Sequence, residues 1–233
     1  MSFFPTPRTA RPRLICLPNA GGGTADYRRW RLPQHEVLPA RLPGRESRLA
    51  ERPYRSMAPL IEDLADETPT DRPYAIYGHS LGSWLAFELV RELRRRGARL
   101  PTRLLLGARH APHIPTATPP LGRLPRAAFL DGMAQQYGAI PEVLRNDPAL
   151  LDAFLPALRA DVVMLDDYRY AEQPPLPIPL DLFHATDDPT VAESDAVAWS
   201  IHSTERFGFH RVEGGHFFLR QPGFDAVVAG VLG

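Results

Sequence analysis

The chain has 233 residues, 44% of them apolar and 23% charged, which suits one α/β domain with a sizeable core. Its 27 cationic and 27 anionic residues cancel, so no bulk charge points toward nucleic acid or a membrane surface. Every cation is arginine, which excludes Schiff-base and Walker-type lysine chemistry, and the single Cys16 excludes an internal disulfide. The N-terminal "MSFFPTPRTARPR" lacks the apolar core of a signal peptide, and no apolar run is long enough to span a bilayer. A cytoplasmic location and no membrane contact are expected.

In chain order, residues 1 to 11 read as a loose arm. "RLICLP" (13–18) reads as a buried strand holding Cys16, and "NAGGG" (19–23) as a turn. "HEVLPARLPGRE" (35–46) gives a short strand running into a Pro-Gly turn, and "MAPLIEDLADET" (57–68) has helical spacing. "YAIYGH" (74–79) is a strand. A helix is expected from Ser80 to about Arg96, closed by three arginines and Gly97. Strands follow at 102–108, 179–185 and 207–213, and a helix at 223–232.

Strands alternating with helices predict a mostly parallel central sheet with helices on both faces, as one domain over 1–233. Residues from about 113 to 172 interrupt the alternation. A proline-rich loop there leads into three helical stretches, "RAAFLDGMAQQYG", "PEVLRN" and "PALLDAFLPALRADVVMLDDYRY". Ligands bind at the carboxyl ends of strands in such sheets, so an insertion after a strand is placed to act as a lid.

Gly78-His79-Ser80-Leu81-Gly82 fits G-x-S-x-G between a strand and a helix. A nucleophile on so tight a turn needs small flanking residues. The helix N-terminus below it supplies partial positive charge, and the Leu81 N–H is placed to donate to a developing oxyanion. The expected chain order is Ser, acid, His. "FHATDDPTV" (183–191) follows a strand and offers Asp188, with Asp187 as the fallback. "VEGGHFFL" (212–219) offers His216 after two glycines. In this reading His216 is the general base and Asp188 orients it. The second oxyanion donor is the Ala20 N–H, beside Asn19. The His79 side chain is expected to point away from Ser80. His110 and His113 are read as surface or structural groups that could also line the mouth. No pair of histidines has ligand spacing with a supporting carboxylate or cysteine, so no metal site is expected.

These pieces together resemble the type II, discrete thioesterases that accompany polyketide synthases and nonribosomal peptide synthetases. "LICLPNAGGG", "LPGRESR", "PYAIYGHSLGSWLAFEL", "LPALRADVVMLDDYRY" and "VEGGHFFL" carry the likeness over about residues 13 to 219. Asn19 stands where an aromatic is common, and "GARHAP" (107–112) replaces a more usual Arg-Arg form. The resemblance implies an α/β-hydrolase fold. It implies hydrolysis of acyl thioesters from the phosphopantetheine arm of acyl or peptidyl carrier proteins, with no cofactor of the enzyme's own. A monomer is expected. Phe129 and Met133 are expected to bind substrate, with Leu130, Leu151 and Phe154 as further lid candidates. Arg123 and Arg126 are expected to meet an acidic carrier protein, and Arg94 to Arg96 to form a solvated helix end. A carboxylesterase, an acyltransferase or cyclising enzyme, and a non-catalytic carrier-binding protein are the competing readings.

Overall fold

The computed structural model describes residues 2–116, 119–138 and 146–233. Its six strands are β1 (Arg13–Leu17), β2 (Glu36–Pro39), β3 (Tyr74–His79), β4 (Arg103–Gly107), β5 (Leu180–Ala185) and β6 (Phe207–Val212). They form one sheet in the order β2-β1-β3-β4-β5-β6, every described pair parallel. The continuous apolar runs follow from burial on both faces. In β1, Leu14 and Cys16 join one core while Ile15 and Leu17 join the other. Helices α1 (Met57–Glu67) and α2 (Leu81–Arg95) cover the Ile15 face with Leu60, Leu64, Leu85 and Leu89. Trp30, Phe218 and the C-terminal helix, with Phe224 and Val228, cover the other.

The sheet creates the site through its order. From β1 the chain moves outward to β2, then returns to the opposite side of β1 as β3. Connections leaving β1 and β3 diverge, which opens a crevice at their carboxyl ends. The glycine-rich loop follows β1 there, and Ser80 follows β3.

Between β4 and β5 lie α3 (Arg126–Tyr137) and α4 (Pro148–Asp167). Asp147 caps α4 by accepting from the N–H groups of Ala149 and Leu150, with Pro148 in the first turn. These helices share a small apolar core of Phe129, Met133, Leu151, Leu155, Leu158 and Val162. The helix expected over 141–146 lies, but for Asn146, outside the described residues. One element escaped the sequence reading: α5 (Glu193–Val197), continued by a 3-10 turn at Ala198–His202 that buries Trp199. Five residues are too few to display a helical period. The last helix is α6 (Phe224–Leu232). No helix among the described residues is long and apolar enough to cross a membrane.

Candidate active site

Ser80 sits between β3 and α2 with φ of 55° and ψ of −114°, a backbone conformation that a non-glycine residue adopts only when its surroundings enforce it. The enforcement comes from backbone packed on backbone. A Cβ on Gly78 would lie 2.1 Å from the Gly82 carbonyl oxygen, and one on Gly82 would lie 2.1 Å from that of Leu17. Both glycines of the motif are therefore steric requirements. The Ser80 N–H donates to the Gly107 carbonyl at 2.8 Å and ties the turn to the end of β4.

Three distant segments meet at this turn. His216 Nε2 is 3.0 Å from Ser80 Oγ, and His216 Nδ1 is 2.8 Å from Asp188 Oδ2. All three side chains are buried. Asp187, the fallback acid, is exposed. Burial works to raise the Asp188 carboxyl. The His216 hydrogen bond and charge, with two bonds from Thr190, outweigh it and hold the group below its ordinary range. Thr190 was not foreseen: its N–H and hydroxyl both donate to Asp188 Oδ1, at 2.9 and 2.7 Å.

His79 does point away from Ser80, yet it contributes. Its Nε2–H donates to the His216 carbonyl at 2.7 Å, and Tyr77 Oη donates to its Nδ1 at 2.9 Å. Burial, aided by the His216 charge, pushes its pKa down to about 3, so the ring stays neutral and holds the His216 loop from beneath. His110 is likewise buried and pushed down to about 4, chiefly by burial, and its Nδ1–H donates to the Ala111 carbonyl at 3.0 Å.

The glycine-rich loop supplies the opposite wall. The Ala20 N–H donates to no acceptor among the described residues, and the Leu81 N–H opens α2, where no helical partner exists for it. This loop is gripped by the lid. Gly21 N–H donates to Asp161 Oδ2 at 2.8 Å, and the Arg45 guanidinium meets both oxygens of Asp161 at 2.7 and 2.9 Å. Arg45 also donates to the Gly22 carbonyl. Phe154, Leu158 and Asp161, at i, i+4 and i+7, share one face of α4. A Cβ on Gly21, whose φ is 69°, would lie 2.7 Å from the Phe154 ring. Two stretches quoted for the family likeness, "LPGRESR" and "LPALRADVV", thus meet as one buried ion pair.

A chamber of about 100 Å³ lies over Ser80, bordered by Ala20, Met133, Tyr137, Phe154 and Leu158. Met133 reaches it as expected. Phe129 does not and is corrected here: it is fully buried in the lid's own core, beneath the Arg159 guanidinium at 4.4 Å. Position along the helix explains the difference: Phe129 and Met133 share one face of α3, one turn apart, and only the later turn borders the chamber over Ser80. Arg123 and Arg126 pair with Asp167 and Asp152 of the lid, and Arg94 to Arg96 are bonded to Glu92, Asp66 and the carbonyls of Pro174 and Pro175.

The family model described as "Thioesterase domain" matches residues 12–231. Linear gramicidin dehydrogenase LgrE of Brevibacillus parabrevis is 36% identical over 86% of this chain and 79% of its own length. The RedJ thioesterase of the prodiginine pathway in Streptomyces coelicolor is 34% identical, with a TM-score of 0.85 over 97% of this chain and 90% of that one. The type II thioesterase BorB from the borrelidin cluster is 31% identical, with a TM-score of 0.85 over 100% and 97%. LgrE is named a dehydrogenase, but the matched family model and both solved structures are thioesterases of the α/β-hydrolase fold. The chain belongs to the thioesterase family, among the type II thioesterases of polyketide and nonribosomal peptide pathways.

Proposed function

We propose that this enzyme hydrolyses acyl thioesters held on the phosphopantetheine arm of carrier proteins, with Ser80, His216 and Asp188 as its catalytic residues. Ser80 Oγ attacks the thioester carbonyl carbon while His216 Nε2 takes its proton. The Ala20 and Leu81 N–H groups receive the oxyanion. Collapse breaks the carbon–sulfur bond, and the thiolate takes the proton from His216. Water then adds to the acyl-serine, again deprotonated by His216, and the free acid leaves as Ser80 Oγ is reprotonated. A thiolate leaves more readily than an amine, so this small site suffices.

The observation that carries the reading is the Ser80–His216 contact of 3.0 Å beneath a largely apolar chamber. Intact-mass spectrometry of acyl-loaded carrier proteins tests it. The acyl mass is expected to vanish with the wild type, with free acid appearing, and to persist with Ser80→Ala. Persistence with both proteins, or transfer to an added amine or alcohol, would replace hydrolysis with an ester-cleaving or acyl-transfer role.

A further inference from the structure

A second cavity, of about 520 Å³, adjoins the catalytic chamber and shares Tyr137, Val162 and Leu165 with it. Arg109 and Trp84 border this cavity. Arg109 follows β4 by two residues, and its guanidinium lies 3.7 Å above the centre of the Trp84 ring. The side chain is only 6% exposed, and its Nε has no hydrogen-bond partner.

Arg109 differs from the other buried arginines. Arg13 pairs with Asp71, Arg45 with Asp161, Arg48 with Glu51 and Arg91 with Glu88. Arg109 forms no ion pair with any described residue: its polar neighbour is the Tyr137 hydroxyl, and Asp166, at the border of the same cavity, and Asp188 act on it through charge alone. A buried cation with no anion paired to it costs several kcal/mol. That cost is offset when an anion enters the cavity and forms charge-assisted hydrogen bonds away from bulk water. The cavity also lies within reach of the chemistry. The Tyr137 ring is 5.1 Å from the His216 ring, and its hydroxyl neighbours the Arg109 guanidinium.

We infer that the side cavity is a subsite for an anionic oxygen of the substrate, held by Arg109. A carboxylate at the far end of the acyl group fits best, because Arg109 is one tyrosine away from His216 whereas the phosphate lies a full pantetheine length from the sulfur. The inference rests on the thioesterase reading above and names the acyl class that site would take.

Two matched comparisons test it. The first sets N-acetylcysteamine thioesters of adipic, suberic and sebacic half-acids against hexanoyl, octanoyl and decanoyl thioesters, none of which carries phosphate. The second sets octanoyl-phosphopantetheine against octanoyl-N-acetylcysteamine. Ratios of kcat/KM within each enzyme cancel any loss common to both substrates. Arg109→Met is expected to lower the carboxyl-to-alkyl ratio at one or more lengths by about tenfold, the worth of a charged hydrogen bond. Arg109→Lys should restore part of it. A drop confined to the phosphopantetheine ratio would assign Arg109 to the arm's phosphate instead. Unchanged ratios would overturn the subsite. Should Arg109→Met fail to fold, the wild type decides: tenfold discrimination against both anionic probes is incompatible with a cationic subsite. If the wild type cleaves no thioester at all, the thioesterase reading fails and takes this inference with it. Cleavage of the alkyl probes with Arg109-independent ratios sinks this inference alone.

Discussion

The catalytic corner and the lid hold their residues in place by different means. At the corner, backbone packs on backbone: Gly78 against Gly82, Gly82 against Leu17, and Ser80 hung from Gly107. No side chain there can adjust, so geometry is kept or lost as a whole. In the lid, Met133, Phe154 and Leu158 meet the chamber as side chains on helices, and side chains can repack. Under the proposed function, chemistry falls to the part that cannot vary and acyl selection to the part that can. Asp161 sits at the seam, carried by the lid and bonded to the loop that bears Ala20.

The largest expected effect is at the corner. His216→Ala should lower kcat/KM on the order of 10⁴-fold or more with the fold intact, measured by thioester turnover beside circular dichroism. A loss below tenfold would remove His216 from the reaction. Asp188→Asn should cost about 10³- to 10⁴-fold, and the exposed Asp187→Asn about twofold or less; the reverse order in the same assay would reassign the acid.

Asp161→Asn tests the seam. It keeps an acceptor for Gly21 but removes the charge that Arg45 pairs with. We expect kcat to fall about 10- to 100-fold at near-constant KM, with a parallel loss of affinity for a trifluoromethyl ketone that fills the oxyanion hole. A change only in acyl-length preference would make α4 a wall and nothing more.

Stability toward acid follows from the buried histidines. Burial first, then the positive charge of neighbours, pushes His79 to about 3 and His110 and His202 to about 4. The unfolded chain, with histidines near 6.5, binds more protons between those values. Stability is therefore full above about pH 6.5 and falls as the pH drops, by about 2 kcal/mol per histidine at pH 5. The depressed Asp188 adds a further loss below the ordinary carboxylate range. Thermal melts of His202→Gln should show a shallower decline from pH 7 to 5; an identical slope would rule out that histidine as a contributor. The smallest effect is Met133→Ala, for which a several-fold shift in chain-length preference is expected from thioester panels, and no shift would remove Met133 from the pocket.

Local patterns carried much of this molecule. Six apolar strand runs, the G-x-S-x-G turn and the Gly-Gly-His loop each depend on neighbours in sequence, so Ser80 and His216 were legible before any fold was seen. The sheet order was not, and it is the order that opens the crevice between β1 and β3. Asp187 and Asp188 have equivalent sequence contexts; only the direction of the turn after β5 sends one to His216 and the other to solvent. Phe129 and Met133 share one helical face and look alike in sequence; only the placement of the helix along its axis over Ser80 separates them. Thr190 over Asp188, His79 beneath His216, and Asp161 joining Arg45 to Gly21 left no short-range signal of those contacts. Each is a polar contact made where separate segments are buried together, and burial against a distant partner is a property of tertiary packing alone.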